Sequence, residues 1–169
     1  TGGGRSLIKL AVHVTKKFRG GPAHSAILAS SLFGTMSGGS VTNVVATGVI
    51  TIPMIKQRGF SPSFAGGVEA TASSAGQIMP PIMGAAAFLM ADIMEVPYLD
   101  ITKSALLPAI LFYIAVFWAV HLEALKAGLQ PLGNYEVPDV VDSLRNNGHV
   151  LLAIPVFVGA LVSGYSVMY

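Results

Sequence analysis

The run Gly34-Thr35-Met36-Ser37-Gly38-Gly39-Ser40-Val41-Thr42-Asn43 sets side-chain oxygens at Ser37, Ser40, Thr42 and Asn43 around a flexible Gly-Gly pair. Neutral hydroxyl and amide oxygens are ligands that a hard cation such as Na+ accepts. Glycines that unwind the backbone there also free carbonyl and N–H groups. At membrane depth these must be satisfied by protein, water or an ion. A helix restarting near Val41 turns its positive end toward the same spot and favours an anionic group. The second feature is Gly76-Gln77-Ile78-Met79-Pro80-Pro81, inside a long apolar run. Its prolines lack N–H donors and clash with preceding carbonyls, which predicts a kinked or broken helix with acceptors set free. Upstream, Thr71, Ser73 and Ser74 supply hydroxyls, and Ala70, Ala72 and Ala75 keep the helix slim enough to press on the first feature. The third is Glu69. An intramembrane carboxylate is a proton carrier or cation ligand by default, unless it snorkels or pairs with Lys56 or Arg58.

Other polar residues carry less. His24 and His121 read as interfacial, and Asp92, Glu95 and Asp100 as a solvated loop. No nucleophile–His–acid set, phosphate loop or metal-ligand spacing occurs in the sequence, so an enzyme is poorly supported and no cofactor is expected. Cysteine is absent, which removes disulfides and thiolate metal sites. A formal net charge of +2 argues against a nucleic-acid partner.

The elements that must position these residues are membrane helices. Of 169 residues 53% are hydrophobic but only 11% are charged, under half the charge of a typical soluble domain. Nineteen Gly and ten Pro in so apolar a chain suggest helices that pack closely and break on purpose. Residues 20–55 are too long for one crossing, and each half is too short for its own. A hairpin that dips in and returns solves this, and it puts Lys16, Lys17 and Arg19 on the same side as Lys56 and Arg58. With the following spans, only Lys103 of the ten basic residues falls on the far side. The basic side is then cytoplasmic.

The fold class is thus an all-α integral membrane protein with discontinuous transmembrane helices and a re-entrant helical hairpin. An amphipathic interfacial helix, or the end of a preceding span, covers 1–19, with Leu7, Ile8, Leu10, Ala11, Val14 and Phe18 on its apolar face. The re-entrant hairpin covers 20–58, a broken transmembrane helix 61–94, a transmembrane helix 98–127, a cytoplasmic connector 128–148 and a further transmembrane helix 149–169. Pro22 is placed to begin the first hairpin helix, and Ser61-Pro62-Ser63 to cap and start the next. Thr1-Gly2-Gly3-Gly4 reads as a loop. The absence of an initiator Met and the apolar run still continuing at Tyr169 predict part of a longer protein.

Several stretches closely resemble the tripartite ATP-independent periplasmic (TRAP) transporters. They are Arg19-Gly20-Gly21-Pro22-Ala23, Phe33 through Gly48, Ile52-Pro53-Met54-Ile55-Lys56, Phe64 through Ala70, and Gly76-Gln77-Ile78-Met79-Pro80-Pro81 through Phe88. The resemblance is to fused permeases, and the details of Val44 onward and of the Gly76–Pro81 run are most similar to those working with the TAXI class of binding protein. It implies a bacterial inner-membrane, multi-pass permease that imports organic acids such as C4-dicarboxylates by Na+ or H+ symport. A periplasmic binding protein delivers the substrate, and the rest of the fused permease, including the small-subunit region, completes the machine. It also implies an inverted-repeat elevator whose first Na+ site lies between the hairpin tip and the break. In this sequence those positions are Ser37, Gly38, Gly39, Ser40 and Asn43 with Gly76, Gln77 and Met79. Ser40, Asn43, Thr47, Ser73 and Gln77 are the candidate substrate contacts, and Glu69 the candidate proton site. Two other classes stay open: an ion channel with a re-entrant filter, and a membrane scaffold, which leaves Ser40, Asn43 and Gln77 without a purpose.

Overall fold

Glycine and proline punctuate the chain into helices. The computed structural model describes residues 2–131 and the isolated positions 156 and 159. Arg145, most of the 128–148 connector and the 149–169 helix thus lie outside the described residues or rest on single positions. Helix α1 spans Gly2–Thr15, α2 Gly21–Ser37, α3 Ser40–Gln57, α4 Pro62–Ser74, α5 Ala85–Ile93 and α6 Tyr98–Lys126, with one 3-10 turn at Ala75–Gln77. Among the described residues the protein is all-helical, and its one β-type contact is an isolated backbone bridge between Arg19 and Pro131.

Each boundary has a local cause. Gly20 takes a left-handed φ of 70° just before α2, and Pro22 occupies the first turn, where its missing N–H costs nothing. Gly38, at φ 60°, closes α2 by returning its N–H to the Gly34 carbonyl at 3.0 Å. Ser61 caps α4 by accepting the Phe64 N–H at 3.2 Å. After Ser74 the helix tightens into the 3-10 turn, and the chain stays non-helical from Ile78 to Gly84. The prolines therefore bound a gap between two helices instead of kinking one, because neither sits inside a helix whose carbonyls it could strain.

Helix α2 is the hub: it packs on α1, α3, α4, the 3-10 turn and α6. Its sequence is rich in Gly, Ala and Ser, so neighbours approach on every side and most of it is buried. Ala23, Ala26 and Ile27 meet Ile55 of α3, Ala65, Val68 and Ala72 of α4, and Val120 and Ala124 of α6. Gly34 allows the tightest approach, since a Cβ there would lie 2.5 Å from the Gly76 Cα. Tyr113 of α6 ties that helix to α4 by donating to the Ala72 carbonyl at 3.0 Å.

Polarity runs inside out on α3. Val41, Val45 and Val49 are exposed at i, i+4 and i+8, while Asn43, Thr47 and Thr51 at the same spacing are buried. Helix α6 is the one described helix long and apolar enough to cross a membrane. Its 29 residues rise about 44 Å.

Four expectations need correction. Helix α1 buries Leu7, Ile8, Ala11 and Val12, whereas Val14 is 56% and Phe18 40% exposed. The helix is rotated so that Ile8, Ala11 and Val12 meet Ala29 of α2. The glycines at 2–4 are helical, because extending an existing helix adds a bond per residue fixed. His24 is buried, its ring 4.2 Å from Phe117 and 5.9 Å from His121, since the end of α6 crosses the start of α2. Asp92 and Asp100 are exposed but sit on α5 and α6, not in a loop.

The glycine contacts predict opposite effects. Gly34→Ala should lower the thermal stability of the purified permease by about 1–3 kcal/mol through overpacking. Gly67→Ala, which meets nothing within 4 Å, should be neutral or stabilising by up to about 1 kcal/mol. Equal Tm shifts for the two would show that the α2–turn contact is not tight.

Candidate functional site

The tip between α2 and α3 and the gap between α4 and α5 are packed backbone to backbone. A Cβ on Gly38 would fall 1.8 Å from the Met83 carbonyl oxygen, and one on Gly84 would fall 3.2 Å from the Gly38 carbonyl oxygen. At Gly38 only glycine fits, and its left-handed φ demands it as well; at Gly84 a Cβ would press on its neighbour by a few tenths of an ångström. The Ile82 N–H reaches the Thr35 carbonyl at 3.4 Å, and the Gly84 N–H donates to the Gln77 carbonyl at 2.7 Å. Tyr98 at the start of α6 steadies the gap by bonding the Ile82 carbonyl.

The residues expected at a cation site gather here. Gly38, Gly39 and Ser40 form the turn, and Gln77 donates from Nε2 to Ser40 Oγ at 2.8 Å. The Met79 N–H points to the Gly76 carbonyl at 3.3 Å. Ser37 is half-buried, and its Oγ is buried without a hydrogen-bond partner. A buried polar atom left unpaired costs free energy unless something else bonds it. The last carbonyls of α2 and the first N–H groups of α3 also meet at this turn, where helix ends leave such groups without intrahelical partners.

Asn43 is fully buried one turn into α3. Its Nδ2 donates to the Ser30 carbonyl of α2 at 2.9 Å and lies 3.0 Å from where a Gly76 Cβ would stand. One amide thus ties α3 to α2, close beside the 3-10 turn.

Below it lies Glu69, with no exposed surface. Its Oε1 receives Ser30 from α2 at 3.1 Å, Ser73 from α4 at 3.1 Å, and Thr47 from α3. Its Oε2 receives Thr51 at 2.5 Å. The room comes from Gly48, where a Cβ would stand 3.2 Å from Glu69 Cγ. The carboxylate is therefore neither snorkelling nor solvated; it is seated in hydroxyls from three helices.

The candidate substrate contacts divide accordingly. Ser40 and Gln77 stand at the tip, with Gln77 exposed. Asn43, Thr47 and Ser73 lie in the interior, the latter two facing Glu69. Ser30, Gly48 and Thr51 also shape this cluster and were not singled out from the sequence, whereas Gly34 opens the tip run that was. Thr51 was within reach, because Asn43, Thr47 and Thr51 form a polar stripe at i+4 spacing. Ser30 and Gly48 carried no such signal.

Comparison with known proteins adds the following. A family model described as "Tripartite ATP-independent periplasmic transporter, DctM component" matches residues 1–168. A "C4-dicarboxylate TRAP transporter large permease protein DctM" of Vibrio cholerae is 27% identical over 167 residues, covering 97% of this chain and 36% of that protein. The protein of the same description from Pseudomonas aeruginosa is 28% identical over 165 residues, 97% of this chain and 38% of its own. An uncharacterized protein, y4mL, of Sinorhizobium fredii is 32% identical over 122 residues, 70% of this chain and 29% of its own. The chain thus spans between 29% and 38% of the length of these relatives.

Asn43→Ala should cost about 1–3 kcal/mol, because the Ser30 carbonyl loses its side-chain donor and a buried gap opens. Gln77→Ala, at an exposed position, should cost about 0.5 kcal/mol or less. Thermal unfolding of the two variants side by side checks the contrast, and equal shifts would overturn the central role given to Asn43.

Proposed function

The chain belongs to the DctM component family of tripartite ATP-independent periplasmic transporters, and on that premise we propose that it is the ion-binding part of a permease that imports organic acids. The names of the Vibrio and Pseudomonas relatives point to C4-dicarboxylates as the substrate class. Na+ is held where the tip meets the break, by oxygens of Ser37, Gly38, Gly39, Ser40 and Asn43 from one side and of Gly76, Gln77 and Met79 from the other. The substrate anion sits beside it, near Ser40 and Gln77, against the positive end of α3.

The observation that carries this reading is the unpartnered Ser37 hydroxyl at a turn where two backbone segments touch. Helix ends that meet in this way form the ion sites of many transporters. Coupling follows from differential binding. Na+ orders the tip, so the anion binds the ion-loaded form better, and by linkage the anion tightens Na+ equally.

In this reading the α2–α3 hairpin is re-entrant from the cytoplasm, and the chain is one repeat of an inverted-repeat elevator in the bacterial inner membrane. A TAXI-type periplasmic protein delivers the substrate. The remainder of a fused permease, with its small-subunit region, supplies the second repeat and the remaining spans.

Uptake by the intact permease in proteoliposomes, with its binding protein and labelled organic acids, tests the reading. An inward Na+ gradient is compared with an inward proton gradient at matched membrane potential. Na+-driven uptake is the expected result, and uptake indifferent to Na+ would overturn the ion assignment. Ser37→Ala refines it. The hydroxyl has no internal bond to lose, so Tm should hold while the Na+ concentration for half-maximal uptake rises roughly tenfold. An unchanged Na+ response would remove Ser37 from the site.

A further inference from the structure

Counting hydrogens around Glu69 shows more than its contacts do. A hydroxyl carries a single hydrogen. Thr47 Oγ1 lies 2.8 Å from the Asn43 carbonyl while also touching Glu69 Oε1. Thr51 Oγ1 lies 3.0 Å from the Thr47 carbonyl and 2.5 Å from Glu69 Oε2. Each threonine has at least two acceptors in reach and one hydrogen to give. An ionised Glu69 draws both hydrogens to itself, and the two carbonyls keep only their bonds within α3. A neutral Glu69 brings its own hydrogen and donates it to one threonine oxygen. That threonine's hydrogen then turns back to the α3 carbonyl. One proton gained at the carboxyl moves one hydroxyl hydrogen from carboxylate to backbone, and the hydrogens balance with no other bond broken.

The hydroxyls bond the carboxylate directly, an arrangement into which a proton enters without further room. Titratable groups on the surrounding elements stand further along. His24 is six residues before Ser30 on α2, and Lys56 is five residues beyond Thr51 on α3, with Arg58 at that helix's cap. Tyr113 reaches α4 from α6 at the Ala72 carbonyl. The route from Glu69 to the tip is short. Thr47 bonds the Asn43 backbone and has the Asn43 Oδ1 3.4 Å away, and Asn43 ties α3 to α2 beside the 3-10 turn.

We infer that Glu69 binds and releases a proton drawn from water, and that its occupancy, passed through Thr47 to Asn43, sets how the hairpin tip seats on the break. The inference deepens the transport reading and rests on it for its purpose, but the switch itself needs neither substrate nor Na+. It is therefore tested without them, on the purified full-length permease in Na+-free lipid nanodiscs. Infrared difference spectra across a pH titration read the C=O stretch of a protonated carboxyl, and hydrogen exchange at residues 36–43 reads the tip.

The expected result is a titrating carboxyl band that disappears in Glu69→Gln, with tip exchange changing about tenfold over the same pH range and becoming pH-independent in that variant. Thr47→Val leaves the carboxyl in place, so it should keep the band and lose the tip response. It also serves if Glu69→Gln does not fold. No titrating band, a band that survives Glu69→Gln, or a tip response that survives Thr47→Val would overturn the inference. A failed Na+-uptake experiment alongside a titrating band would instead count against the transport reading alone.

Discussion

The arrangement depends on one buried carboxylate. Glu69 has no surface, and leaving a charge or an unbonded carboxyl in an apolar interior costs several kcal/mol. Its four hydroxyl partners come from α2, α3 and α4, so those helices must hold their relative positions for Glu69 to be satisfied. A small displacement of α3 would break two bonds at once. The cluster thus gives an apolar, otherwise slippery set of helices a fixed register, the use of buried polar groups that is best attested elsewhere.

Glycine makes the register reachable. Gly48 leaves room for the Glu69 side chain, Gly34 and Gly76 let α2 touch the 3-10 turn, and Gly38 lets the tip rest on the Met83 carbonyl. Without a hydrophobic force between helices in lipid, close backbone approach and hydrogen bonds between helices are what remain to hold them together. The core reflects this, being rich in Ala, Ser and Thr, while the large apolar side chains of α6 point outward.

The hairpin is also polar where a soluble helix would be apolar. Asn43, Thr47 and Thr51 face the interior, and Val41, Val45 and Val49 face out. The polar stripe is satisfied by Ser30 and Glu69, and exposed valines cost little wherever the surroundings are apolar. The stripe links the tip, with its unpaired Ser37 hydroxyl, to the carboxylate two turns below it. The family model that matches the chain covers residues 1–168 and so takes in the whole of this connection.

Much of this was legible in the sequence. The scarcity of charge showed a membrane protein, Pro22 and Ser61 marked helix starts, and the Ser37–Asn43 and Gly76–Pro81 runs showed where regular helix would fail. Those readings depend on local chemistry, on what glycine, proline and capping hydroxyls do to their own backbone. Sequence reasoning went astray where an outcome depended on a neighbour distant along the chain. Val14 lost its place to Val12 because α1 rotates to meet Ala29, and His24 is buried because the end of α6 crosses it. Glu69 could have snorkelled toward Lys56 or met hydroxyls. Only the packing of α2, α3 and α4 chose, since Ser30 lies 39 residues from Glu69 in the chain and no local rule connects them.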